Sequence, residues 1–290
     1  MFSAPSIRLV IIGHVGFAED HTVSGSSTGL GGSAYACAMG ASVIKPRGVG
    51  VVARVGDDFP ASSVEVLGVN TEGLSYAAGR APRLKIIQYA ESRSFSSELG
   101  VANDVVTGSF PDSYARASHI HLATMPLVQQ MRWLRYCRQN APAATMSADM
   151  FEATAESDPE LSRSLCSLVD IAFLNECELK ILYPDDVDRP PRYVGKRGAG
   201  GASYFADRQE LSVSAPSVDV VDTTGAGELL AGVFLSMLTA GHDAHHALDV
   251  AVLVASTKVQ EFGLDGAKLR QVLASVQIQA TRQAGHEGLT

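Results

Sequence analysis

Five short apolar runs constrain this chain more than anything else in it: Leu9 to Ile12, Val49 to Val52, His119 to Leu122, Ile171 to Leu174 and Ala202 to Phe205. Each has the length of a strand and is followed by turn residues or a polar loop. Helix-length segments separate several of them. Gly32 to Ala41 is small and apolar, Pro126 to Gln139 carries spaced Leu, Val, Met and Trp, and Asp158 to Val169 has a leucine repeat. Strands alternating with helices imply right-handed crossovers and a mostly parallel sheet covered on both faces. The expected class is therefore α/β and layered. With 290 residues, 46% of them hydrophobic, one large core can be buried, so 1–290 reads as a single domain.

Two stretches break the alternation. Residues 16–30 are rich in Ser, Thr and Gly, and residues 80–106 contain an alternating run from Leu84 to Tyr89. Two readings stand for them: ordinary surface hairpins, or a small β-lid that excludes water from an active site. The Asp185 to Arg192 segment, with Pro190-Pro191, is a polar loop.

The formal charge of −8 offers no basic face for nucleic acid or anionic lipid, which points to small-molecule partners. Four cysteines, Cys37, Cys137, Cys166 and Cys177, lie scattered without a C-x-x-C pair, as suits core thiols in a reduced compartment. The N-terminal apolar stretch includes Arg8 and falls well short of the roughly 20 residues a membrane span needs. A cytoplasmic protein is expected.

The segment that carries chemistry is Asp222-Thr223-Thr224-Gly225-Ala226-Gly227-Glu228. An extended approach or strand, Ser217 to Val221, precedes it, and a helix from Leu229 to Leu238, stopped by Gly241, follows it. The glycines thus sit where a chain enters a helix. There the unpaired N–H groups of the first turn and the helix dipole favour an anion. The plainer reading is a helix start capped by Thr223 or Thr224. Glu228, directly after the glycines, sharpens the first reading, since it stands where a base could take the proton of a hydroxyl attacking a phosphoryl group. The spacing is not that of a Walker loop.

These residues resemble the D-T-x-G-A-G-D signature of the ribokinase-like, or PfkB, family of sugar and nucleoside kinases, with Glu228 at the family's catalytic aspartate. The resemblance implies a three-layer ribokinase-like domain with a small β-lid, an anion hole at Gly225, Ala226 and Gly227, and Glu228 as base. Asn175-Glu176-Cys177-Glu178 is similar to the family's N-x-x-E motif, whose glutamate helps organise Mg2+ and its water near ATP. Read alone, it is a helix start capped by Asn175. Lys196 to Ala202 resembles the glycine-rich turn on the nucleotide side, implying ATP contacts from Lys196, Gly198 and Gly201 alongside Thr223; read alone, it is a hairpin with solvated charges.

On the acceptor side, Gly31-Gly32 resembles the start of G-G-x-x-x-N, with Ala36 at the asparagine position. The opening strand runs into His14 where the family leads to an aspartate, and Glu19 and Asp20 follow. Asp149-Met150-Phe151-Glu152 stands where relatives carry D-x-N-x-R. Val55 to Phe59 is also similar to the family, its aspartates reading as solvated turn residues. Phe17, Tyr35, Phe95 and Met125 suit either a pocket wall or the core. The resemblance further implies a monovalent cation such as K+ near Asp222, and a homodimer formed through lid strands.

The acceptor expected by family frequency is a sugar or sugar-like polyol, with a nucleoside as the alternative. A competing reading is a weakly active or inactive binding protein on the same scaffold, with Glu228 and Ala36 as marks of lost catalysis. A metal or redox enzyme is disfavoured, because His245-His246 and the other histidines lack ligand spacing.

Overall fold

A strand buried on both faces reads as a continuous apolar run, which is why Leu9 to Ile12 shows no alternation. The computed structural model describes residues 6–22, 25–60, 62–88, 93–104, 106–264, 268–269 and 271. In it Leu9 and Ile11 enter one core while Val10 and Ile12 enter another.

In chain order the strands are β1 (Leu9–Ile12), β2 (Gly16–Thr22), β3 (Gly25–Gly31), β4 (Val49–Gly56), β5 (Asn70–Ala77), β6 (Arg83–Gln88), β7 (Arg93–Glu98), β8 (His119–Leu122), β9 (Thr145–Asp149), β10 (Ile171–Asn175), β11 (Tyr193–Lys196), β12 (Ala202–Ala206) and β13 (Gln209–Val213). The helices are α1 (Ser33–Ile44), α2 (Ser62–Glu65), α3 (Leu127–Asn140), α4 (Glu152–Ser157), α5 (Pro159–Leu168), α6 (Glu176–Leu182), α7 (Ala226–Ala240) and α8 (Ala244–Lys258). Nine strands form the main sheet in the order β13-β12-β11-β10-β9-β8-β1-β4-β5. It is parallel from β11 to β5, and β12 and β13 add antiparallel at one edge. Helices α1, α7 and α8 cover one face, and α3 and α5 the other, giving three layers.

All five apolar runs are strands, although the run at Ala202 belongs to an antiparallel hairpin rather than to the parallel body. Ser217 to Val221 is not a strand. It crosses to α7 as extended chain and is tied by the Val221 N–H to the Val259 carbonyl at 2.8 Å.

The segments 16–30 and 80–106 supply the four strands of a second sheet, in the order β3-β2-β6-β7. Residues 23–24, 89–92 and 105 of those segments, Tyr89 included, lie outside the described residues. Asp57 and Asp58 are more than solvated turn residues. Asp58 accepts from the Ala81 N–H at 2.7 Å and from Arg83 at 2.6 Å, and Asp57 accepts from the Gly79 N–H at 3.3 Å, so this turn holds the approach to β6.

Small residues in α1 and α7 let these two helices touch backbone to backbone. A Cβ on Gly232 would lie 1.9 Å from the Cys37 carbonyl oxygen, so a side chain there would force the helices apart. The close packing sets the N-terminus of α7 beside that of α1, so the two glycine motifs meet although they are far apart in sequence. Among the described residues no helix is long and apolar enough to cross a membrane.

Candidate active site

A helix start needs partners for its first N–H groups, and α7 has no side-chain cap to provide one: its N-cap is Gly225, in the left-handed region at φ 76°. The capping role foreseen for Thr223 or Thr224 is thus taken by a residue without a side chain. Thr224 turns back instead, its N–H donating to Asp222 Oδ1 at 2.8 Å. Gly225, Ala226, Gly227 and Glu228 line a cleft of about 1480 Å³ between the main sheet and the small one, and Thr223 stands on its wall.

Lys196 closes on this turn from the end of β11. Its Nζ lies 3.3 Å from where a Cβ on Gly227 would stand. It is a largely buried charge, its side chain 15% exposed, and it donates to Asp149 Oδ1 at 2.5 Å. Against the pull of burial, Asp149, Glu178 and Glu228 hold the Lys196 ammonium above its ordinary value. Burial in turn pushes the Asp149 carboxyl up to about 6 and the Glu178 carboxyl up to about 7, with Lys196 opposing both.

Glu178 and Asn175 form a complete capping box at the start of α6. The Asn175 N–H donates to Glu178 Oε2 at 2.7 Å, and the Glu178 N–H donates to Asn175 Oδ1 at 2.8 Å. The capping reading of this motif therefore holds at the same time as its place on the cleft wall. Gly198 and Gly201, in the turn between β11 and β12, line the cleft as well.

Three carboxylates around one ammonium leave this end of the cleft with surplus negative charge, and Asp149 Oδ2 is buried without a hydrogen-bond partner among the described residues. Among the described residues no three of these side chains converge as direct ligands of one metal ion, so this oxygen donor set suits the water shell of a Mg2+ and not the bare ion. Asp149 opens the segment that stands where relatives carry D-x-N-x-R. Its role beside Lys196 becomes visible only once β9 and β11 are brought together on either side of β10.

Asp222 is fully buried beneath the turn. Its Oδ2 accepts from Lys258 Nζ at 2.7 Å and from the Gly263 N–H at 3.2 Å. Lys258 also donates to the Asp222 carbonyl at 2.9 Å. Although burial pushes it up, Lys258 and Thr224 hold the Asp222 carboxyl below its ordinary value. Nothing in the sequence marks Lys258, which ends α8 as one basic residue among many.

On the acceptor side, β3 delivers Gly31, and Gly32 is the N-cap of α1. Ser33 donates to the Thr124 carbonyl at 2.6 Å, pinning the loop that carries Met125. Ala36 lies directly under the phosphate turn, its Cβ 3.5 Å from where a Cβ on Gly225 would stand. His14 is buried against Gln129, Nε2 to Oε1 3.2 Å, and burial lowers its pKa, so it presents a neutral ring to the cleft. Of the four aromatic or Met candidates, Phe95 and Met125 line the cleft, whereas Tyr35 is core and Phe17 packs edge-on against Phe59 at 5.5 Å. Leu84 and Ile86 extend the apolar wall across the small sheet, and Phe95 meets Phe151 of the main domain at 4.9 Å between ring centres.

A layered α/β body, an uncapped helix start in a cleft, and a carboxylate and an ammonium at that start define a phosphotransferase that acts on a hydroxyl. The chain belongs to the pfkB family carbohydrate kinases, whose model matches residues 1–269. It is 25% identical over 273 residues to the cytidine kinase of Thermococcus kodakarensis, covering 89% of this chain and 98% of that one. In fold it is similar to the adenosine kinase from Sinorhizobium meliloti, with a TM-score of 0.79 at 18% identity over 96% of this chain and 99% of the other. A putative ribokinase II from E. coli, solved in complex with ATP and Mg2+, gives a TM-score of 0.75 at 17% identity, covering 93% and 99%.

Proposed function

We propose that this kinase transfers the γ-phosphoryl group of ATP, with Mg2+, to a sugar hydroxyl of a nucleoside-like acceptor, and that Glu228 is its base. The observation that carries the proposal is the convergence of the α7 N-terminus, Glu228 and Lys196 at one end of a cleft that also carries an apolar wall, with the polar groups of His14 and Asp20 beside it.

The first-turn N–H groups of Gly227 and Glu228, left over once the Ala226 N–H has donated to the Thr223 carbonyl at 3.3 Å, and the α7 dipole stabilise the charge on the transferring phosphoryl group. Lys196 neutralises oxygens beside it. Mg2+ supplies further charge neutralisation when bound, and Glu178 and Asp149 are the residues that would hold its water. Glu228 takes the proton of the attacking hydroxyl, which the small sheet holds away from bulk water. The Glu side chain reaches one methylene further than the family's aspartate, so the acceptor hydroxyl sits correspondingly further from the α7 backbone.

The acceptor reading moves from a free sugar toward a nucleoside because Leu84, Ile86, Phe95 and Met125 offer a flat apolar wall. A free sugar is polar all round and would leave that wall wet, whereas a nucleobase would cover it. The name of the Thermococcus relative, a cytidine kinase, supports the same direction. The reading also carries a homodimer through the small sheet, at whose outer edges stand β3 and β7. A cytoplasmic setting suits the free thiols of Cys37, Cys137, Cys166 and Cys177.

ATP consumption measured across a panel of nucleosides, pentoses and polyols tests this. Turnover with a nucleoside and loss of that turnover in Glu228→Gln are expected. Tight acceptor binding without any ATP consumption would instead establish the binding-protein reading.

A further inference from the structure

We infer that the Lys258 ammonium takes the place of a monovalent cation at Asp222, so that the phosphate turn is held ready without potassium. The inference rests on the reading of Gly225 to Gly227 as a phosphate site.

A potassium site is built from oxygen lone pairs that replace the ion's water. At Asp222 each of these oxygens already accepts at least one hydrogen bond, and Oδ2 accepts two. Oδ1 accepts from the Thr224 N–H at 2.8 Å, Oδ2 from Lys258 at 2.7 Å and the Gly263 N–H at 3.2 Å, and the main-chain carbonyl from Lys258 at 2.9 Å. One of these donors carries a full positive charge, and its side chain is only 1% exposed. A second cation would meet that ammonium in a site shielded from water, where like charges repel most strongly. The oxygens of Asp222 therefore do not fit K+.

The ammonium supplies what such an ion would supply. A Lys head group has three donors and one charge, enough to clamp the carboxylate and the carbonyl of one residue together. Asp222 leads directly into the turn, and its N–H is tied to the Val259 carbonyl at 3.1 Å, one residue beyond Lys258. The end of α8 thereby fixes the start of the turn. Burial pushes the Lys258 ammonium down from its ordinary value, while Asp222 first, then Asp20 and Glu228, hold it charged. Lys258 thus serves as a positioning residue for Gly225 to Gly227 and does not itself touch the phosphoryl group.

Calorimetric binding of a non-hydrolysable MgATP analogue, which keeps a γ-phosphoryl group for the turn, tests this on the full chain without knowledge of the acceptor, in chlorides of potassium, sodium and N-methyl-D-glucamine at equal ionic strength. Wild-type affinities that agree within about twofold across the three salts are expected. Lys258→Ala should lose about tenfold in affinity in N-methyl-D-glucamine and recover it in potassium, a rescue that a purely structural role would not give. Lys258→Arg, which keeps the charge, should stay indifferent to potassium. A wild-type affinity raised about fivefold or more by potassium overturns the inference and leaves the phosphate site standing. So does a folded Lys258→Ala that binds as the wild type does in every salt. If Lys258→Ala does not fold, the wild-type comparison and Lys258→Arg decide the matter alone. Absence of binding of the MgATP analogue in all three salts overturns the phosphate-site reading and this inference with it.

Discussion

The two ends of the cleft are built on different principles. The donor end is a set of buried charges, Lys196 on Asp149 and Lys258 on Asp222, stitched to main-chain groups of the body. The acceptor end is an apolar face on a separate four-stranded sheet, touching the body through contacts such as Phe95 on Phe151. Charges paired out of water hold a fixed geometry, which phosphoryl transfer needs at the nucleotide. An apolar face on a separate sheet can close over ring systems of differing shape. The donor end is accordingly where the sequence keeps its family pattern, and the acceptor end is where it departs.

The contrast is most exposed to a change at the donor end. Glu228→Gln should lower kcat by on the order of 10²- to 10⁴-fold while leaving MgADP affinity near the wild-type value, read by steady-state kinetics and calorimetry. A large loss of nucleotide affinity would mean that Glu228 serves the donor rather than the acceptor. Next in size, Lys196→Met strands Asp149, which is 1% exposed, and should destabilise the fold by about 3–5 kcal/mol near pH 8. The cost should shrink as the pH falls, because without Lys196 to oppose it burial makes Asp149 take up a proton more readily, and urea titrations over a range of pH would show it.

Glu178 probes the same end more gently. Its carboxyl is raised in the fold from 4.5 to about 7, so the folded state holds a proton that the unfolded chain has lost between those values. That contribution to stability is fully present below about pH 4.5 and lost as the pH rises through about 7. Glu178→Gln should therefore gain on the wild type across this window in denaturation midpoints. If Glu178 orients the water of Mg2+, the wild-type rate should rise through about pH 7, and the variant should lack that limb. The smallest effect belongs to the acceptor end. Phe95→Ala should raise KM for the acceptor about threefold to tenfold and leave KM for ATP unchanged, since one side of an apolar wall is lost. An equal rise in both would erase the distinction between the ends.

Legibility in the sequence follows from how local each feature is. β1, β4 and β8 announce themselves because burial on both faces demands unbroken apolar runs. β9 is buried from Met146 onward yet invisible in the sequence, because its run Thr145-Met146-Ser147-Ala148-Asp149 spends three positions on polar residues. Ser147 is bonded by His119 and His121, each at 2.8 Å, and Asp149 pairs with Lys196, partners that only neighbouring strands bring. β5 was missed for the opposite reason: it is an edge strand with a half-exposed pattern that gives no strong period. The phosphate turn was legible because the whole device lies within seven consecutive residues and depends on backbone shape. Lys258 was not, since a lysine at the end of an amphipathic segment reads as solvated until α8 is packed against Asp222.

By itself, then, the sequence determined the layered α/β class, the glycine-led start of α7 whose N–H groups favour an anion, and the carboxylate Glu228 placed at it. Tertiary structure alone decided that Lys196 is a buried partner of Asp149, that Lys258 neutralises Asp222, and that the two odd segments combine into an apolar roof. The physical reason is one of range. Backbone conformation and hydrophobic period are written in neighbouring residues, whereas the state of a charge depends on which opposite charge folding sets within about 3–4 Å of it, from anywhere along the chain.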